Sequence, residues 1–119
     1  MAYRQVIGAT GEEFVARHLT SHGYTLVERN WRIRGGEIDL IAIDPNGKII
    51  FVEVKTRSSN KFGDPLEAIT PAKAARLQRL ALGWLSTHSH FGSDYRIDCA
   101  AVLLLPSGEI KLDYRQAVL

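Results

Sequence analysis

The sequence predicts an α/β domain: a mixed β-sheet flanked by α-helices in the order αβββαβ, plus a C-terminal strand. Three features carry the prediction. Two stretches, near residues 10–22 and following Thr70, repeat their apolar residues at helical spacing. Between and after them the repeat changes to the two-residue alternation of strands. Turn-forming clusters, DPNGK at 44–48 and PSG at 106–108, divide the extended stretches from one another.

The chain has 119 residues, which suits one domain spanning 1–119, and its 45% hydrophobic and 24% charged content is that of a globular protein. No apolar run approaches the roughly 20 residues of a membrane helix, and MAYRQVIGATGEE lacks the apolar segment of a secretory signal. The chain is therefore read as cytoplasmic, with no membrane partner. The lone cysteine, Cys99, has no internal disulfide partner, and its setting in RIDCAAVLLL is that of a small buried residue. Fifteen Lys and Arg against thirteen Asp and Glu leave a charge of +2, too small a surplus to identify a nucleic-acid partner. The cations are nevertheless grouped, with Arg29, Arg32 and Arg34 in one segment and Lys73, Arg76 and Arg79 in another.

The first helix is expected from about Thr10 to His22, stopped by Gly23. Val15, Ala16 and Leu19 form its apolar stripe, which Gly8 and Ala9 continue backwards. Glu12 falls inside that stripe, whereas Glu13 points about 100° away, toward its edge. His18 and His22 are four apart, but the glutamate of a helical zinc motif and a third ligand are both missing, so zinc is not supported. A short strand, TLVERN, is followed by a basic glycine-rich loop, WRIRGG, in which Trp31 is expected to pack on the core.

Two strands at about 37–44 and 48–56 are then joined by a three-residue hairpin loop, with Pro, Asn and Gly each suited to its place in the turn. If Asp44 and Lys48 close the loop, Asp39 stands opposite Glu53 and Ile41 opposite Phe51. Alternation puts Glu37, Asp39, Ile41, Ile43, Ile49, Phe51, Glu53 and Lys55 on one side, and Ile38, Leu40, Ala42, Ile50, Val52 and Val54 on the other. Two carboxylates roughly 5 Å apart repel by about 3 kcal/mol even at an effective dielectric constant near 20. Lys55 offers one compensating charge. With Glu12 included, three carboxylates face one lysine, and either a divalent ion or protonation of one carboxylate relieves the surplus. Oxygen-only ligands favour Mg²⁺ or Mn²⁺ over zinc.

Thr70 is expected to cap the second helix with Pro71 at its first position, and the buried side reads Leu77, Leu80, Ala81, Trp84, Leu85. Lys73 lies on that side, either snorkelling at the core edge or reaching the acidic cluster or a phosphate. The polar segment RSSNKFGDPLEAI before it is expected to be a mobile, substrate-contacting loop. YRIDCAAVLLL is a buried strand, in which Asp98 is expected to pair with Arg96, Arg57 or a main-chain N–H, and EIKLDY closes the sheet.

Asp39, thirteen intervening residues and Glu53-Val54-Lys55 resemble the PD-(D/E)xK nuclease motif, with Ile38 in place of the usual proline. GEEFVARHL, RNWR, GEIDLIA, FVEVKTR and PAKAARL further resemble the bacterial YraN-like family of predicted endonucleases, which is similar to archaeal Holliday junction resolvases. The resemblance covers most of the chain. It implies a restriction-endonuclease-like fold and metal-dependent hydrolysis of a phosphodiester. It implies Asp39, Glu53, the Val54 carbonyl and Glu12 as ligands of Mg²⁺ or Mn²⁺, with Lys55 as an electrostatic catalyst. The carboxylates around Lys55 argue against the lowered pKa that a proton-accepting role needs. DNA, branched DNA included, is the expected partner, contacted by Arg32, Arg34, Arg57, Lys73 and Arg76, and a homodimer would present two sites to a junction. The competing expectation is a catalytically inactive module that keeps the nuclease fold to bind nucleic acid or protein.

Overall fold

The computed structural model describes residues 3–58, 67, 69–90 and 92–119. The elements follow in the order α1 (Tyr3–Ser21), β1 (Thr25–Ile33), β2 (Gly36–Ile43), β3 (Ile49–Arg57), α2 (Pro71–Thr87), β4 (Tyr95–Leu104) and β5 (Ile110–Arg115). All five strands form one sheet in sequence order; β3 and β4 are parallel and the other neighbours antiparallel, so the sheet is mixed as expected. A parallel pair needs a crossover, and α2 lies within the one that joins β3 to β4. No helix among the described residues is long and apolar enough to cross a membrane.

Two apolar layers sandwich the sheet. Val15, Ala16 and Leu19 of α1 pack with Leu40, Ala42, Ile50, Val52 and Val54. Leu77, Leu80, Ala81, Trp84 and Leu85 of α2, the stripe expected from their spacing, pack with Ile38, Ile41, Ile49, Phe51 and Ile97 on the other face. The Thr70 hydroxyl accepts from the Lys73 N–H with Pro71 in the first turn, the expected cap.

Asp44 closes the β2–β3 loop as expected: its N–H donates to the Lys48 carbonyl, and its carboxylate accepts from the N–H groups of Asn46 and Lys48. Gly47 adopts φ 89° in the last loop position, which favours glycine.

Two boundaries and the face of one residue differ from expectation. Helix α1 starts at Tyr3 rather than Thr10, since no proline interrupts the preceding residues and propagation adds a hydrogen bond per residue once a helix is nucleated. Strand β1 continues through Trp31 to Ile33, so WRIRGG is mostly strand and the turn is reduced to Arg34 and Gly35. Pairing with β2, Trp31 with Ile38 and Arg32 with Glu37, keeps these residues extended. Ile38 belongs to the α2 layer rather than lying with Leu40, so the simple alternation slips near Asp39. The segment expected to contact substrate falls largely at 59–66 and 68, outside the described residues.

Gly11 decides how closely α1 approaches the sheet. A Cβ there would lie 1.8 Å from Thr56 Oγ1 and 2.9 Å from Thr56 Cβ. Gly11→Ala gains about 1 kcal/mol of helix propensity, but overpacking of this severity costs about 1–3 kcal/mol. The expected net result is a Tm lowered by several degrees, partly recovered when Thr56→Ala is added. A Tm at or above that of the parent would mean α1 can shift without cost.

Candidate functional site

The β2–β3 ladder runs from Ile43 opposite Ile49 to Leu40 opposite Val52. At the next position the Asp39 side chain takes over, its Oδ2 accepting the Val54 N–H at 2.7 Å. A carboxylate thus replaces a main-chain acceptor where β2 and β3 meet. Asp39 is 7% exposed. In an extended strand the N–H and C=O of one residue lie along the same edge, so the Val54 carbonyl also faces β2.

Burial is the main reason the Asp39 carboxyl is pushed up to about 7; Glu53 raises it further, with smaller contributions from Glu12 and Glu37, while the Val54 N–H opposes them. Glu53, the residue expected to face Asp39, thus lies close enough to act on its carboxyl. Glu12 reaches the same region from α1. Its pKa is also raised, first by burial and then by Glu37 and Glu53, against the lowering effect of a hydrogen bond from Asn30. The adjacent Glu13 instead pairs at the surface with Arg29 at 2.6 Å and Arg17 at 3.0 Å. Helical geometry therefore separates the two glutamates as predicted.

Cations approach from the α2 side. Lys73 Nζ stands 3.2 Å from Glu53 Oε1, and Lys55 Nζ stands 3.9 Å from the same oxygen. Of the two readings of Lys73, the reach toward the acidic cluster is the one found. The second ammonium also changes the charge accounting made with Lys55 alone. Lys73 is the leading cause of a lowered Lys55 pKa, followed by burial, whereas Glu53 and Asp39 raise it. The sequence argument that neighbouring carboxylates prevent such a lowering is corrected by Lys73.

The remaining predicted contacts surround this cluster unevenly. Arg32 is exposed and pairs with Glu37, and Arg34 is exposed in the β1–β2 turn. Arg57 is half-buried at the end of β3. Arg76 runs along Gly36, where an added Cβ would lie 3.3 Å from its Cδ. Asn30 was not expected in the cluster, and Glu37, though placed on the same side of the sheet as Asp39, was not expected as a site residue. The left-handed φ of 51° at Asn30 is a feature that sequence alternation does not show.

Among the described residues, no three His, Cys, Asp or Glu side chains are gathered as they stand to hold a metal ion. The donor chemistry nevertheless fits a hard divalent cation: a buried carboxylate with a raised pKa, three further carboxylates acting electrostatically on it, and only oxygen among the predicted ligand atoms. Ligation through Glu53 Oε1 would displace Lys73, its present partner on that oxygen.

The chain is 50% identical to a UPF0102 protein of Leifsonia xyli subsp. xyli over 103 residues, covering 87% of this chain and 86% of that protein. It is 46% identical to one of Beutenbergia cavernae, with 99% of each covered. Among solved structures, it resembles a repair endonuclease from Pyrococcus abyssi at 19% identity and TM-score 0.46, covering 85% of this chain and 38% of that one. It also resembles Pyrococcus furiosus SfsA in complex with Ca²⁺ at 14% identity and TM-score 0.45, covering 95% and 63%. Residues 11–102, which carry the carboxylates and lysines described above, match one family throughout, and the chain belongs to it: the uncharacterised protein family UPF0102.

Proposed function

We propose that this chain is a Mg²⁺- or Mn²⁺-dependent DNA endonuclease that hydrolyses phosphodiester bonds and selects branched or junction DNA by structure. The observation that carries the proposal is the buried Asp39 carboxylate, repelled by Glu53 and Glu12 and bonded to the main chain beside Lys55. Burying a carboxylate among carboxylates is costly for the free protein. It is well suited to capturing a divalent ion. Selectivity for branched DNA rests on the resemblance to junction resolvases, as does a homodimer.

In this reading Asp39, Glu53 and the Val54 carbonyl hold the ion, and Glu12 completes the site directly or through water. A bound Mg²⁺ or Mn²⁺ supplies a water of lowered pKa and stabilises charge on the phosphoryl oxygens. The Val54 N–H orients Asp39, and Asn30 orients Glu12. Lys55 stabilises developing negative charge and orients the attacking water. Arg32, Arg34, Arg57, Lys73 and Arg76 bind phosphates, which positions DNA without reading its sequence.

The inactive-module reading draws on one observation: Glu53 already has two ammonium partners, which a purely structural ion pair would also show. Cleavage of labelled branched, flapped, nicked and duplex DNA with each ion separates the two. Glu53→Gln and Lys55→Ala are each expected to lower the cleavage rate by about 100-fold or more. Cleavage undiminished in both variants would assign the activity to a contaminant, and an inactive parent protein would favour the module.

A further inference from the structure

We infer that Lys73 is an exchangeable counter-ion: it neutralises Glu53 while the site holds no divalent cation and passes to a DNA phosphate when a cation takes Glu53. This inference rests on the nuclease reading and adds to it a coupling between cation and DNA binding.

The geometry places two ammoniums on one oxygen. Glu53 Oε1 is 3.2 Å from Lys73 Nζ and 3.9 Å from Lys55 Nζ, and its side chain is 12% exposed. Lys55 is anchored two residues away on the same strand. Lys73 comes from a different layer, in the first turn of α2, on a four-carbon stem that can turn without moving the helix. A cation on Glu53 would stand close to the Lys73 ammonium, and charges at such distances repel by several kcal/mol even when screened. Lys73, the nearer ammonium to that oxygen, is therefore the one that a cation bound there repels most.

Its destination follows from the helix end. The first turn of α2 contains no acidic residue, and the helix N-terminus carries positive dipole character. Arg76, nearly one turn onward, lies exposed along Gly36 at the start of β2. A phosphodiester reaching the cation from this side would meet Lys73 and Arg76 together. Before the cation binds, Lys73 is engaged with Glu53, and DNA would depend on the arginines.

Lys73→Met retains the stem and removes the charge. Mn²⁺ binding by calorimetry is expected to tighten roughly tenfold in this variant, because no ammonium competes for Glu53. DNA binding with Ca²⁺ as an oxygen-seeking stand-in is expected to weaken several-fold, by more than DNA binding in chelator weakens. Lys73→Gln, still able to donate to Glu53, provides a second variant if the first folds poorly. Unchanged or weaker Mn²⁺ binding in the folded variants, or an equal loss of DNA binding with and without the cation, would overturn the exchange. A parent protein that binds Mn²⁺ but whose variants behave this way refutes the exchange alone. A parent that binds no Mn²⁺ refutes the nuclease reading with it.

Discussion

Asp39→Asn is expected to make the metal-free protein more stable at pH 8, by up to about 4 kcal/mol, while leaving its stability near pH 4 almost unchanged. The Asp39 carboxyl is pushed up to about 7 in the folded chain by burial first and then by Glu53, whereas an unfolded aspartate titrates near 4. From about pH 4 to 7 the folded state therefore binds a proton that the unfolded state has released. Stability held by this proton is complete below the unfolded pKa and is lost as pH rises toward 7. Asparagine has no charge to bury, and its carbonyl can still accept the Val54 N–H. Urea unfolding of both proteins in chelator at several pH values measures the effect, which corresponds to a Tm difference on the order of 10 °C. A variant less stable than its parent at pH 8 would show that Asp39 is ionised at low cost. A cation bound at the proposed site would compete with the same proton, so under that proposal saturating Mn²⁺ restores much of the parent's stability at pH 8 and none of the variant's.

Asp98→Ala is expected to cost about 3–5 kcal/mol, the usual penalty for removing one member of a buried ion pair. Asp98 is fully buried. Its carboxylate accepts from Arg96 Nε at 2.9 Å, from the Tyr114 hydroxyl at 2.6 Å and from the Ala117 N–H at 2.9 Å. Arg96 in turn donates to the Tyr24 hydroxyl at 2.7 Å. One aspartate thereby ties β4 to β5, to the residues after β5 and, through Arg96, to the turn after α1. Burial, and then the Asp98 carboxylate, raise the Tyr114 phenol, so it remains a donor throughout the working pH range. Asp98→Asn retains an acceptor and should cost about 1–2 kcal/mol, mainly through the lost charge. Chemical denaturation ranks the three proteins. Equal stability of the alanine variant and the parent would mean that Arg96 finds water or another acceptor. Neither substitution touches the Asp39–Glu53 cluster, so any nuclease activity should survive in whatever fraction remains folded.

The two networks show how differently local pattern and tertiary contact enter this protein. The α2 stripe, the Thr70 cap, the Asp44–Lys48 loop and the inward turn of Glu12 were all legible, because each depends on residues within a few positions of one another. The pairing of Asp98 with Arg96 was legible for the same reason, since two residues of one strand separated by one share a face. Tyr114 and Ala117 were not foreseen as partners because they reach Asp98 through β5. The boundary of β1 was missed where glycine and arginine suggested a loop but pairing with β2 supplied a ladder. The face of Ile38 was missed where simple alternation slips near Asp39.

By itself the sequence determined which carboxylates and which lysine could converge, since a hairpin register and a helical period are local geometric rules. Only the tertiary structure decided their ionisation and partners. Lys73 lies on an element about twenty residues from Glu53, and its contact with that carboxylate, the lowered pKa of Lys55 and the raised pKa of Asp39 all depend on how the α1 and α2 layers close on the sheet. Desolvation and through-space charge have no period along a chain, and so they emerge only when the layers are packed.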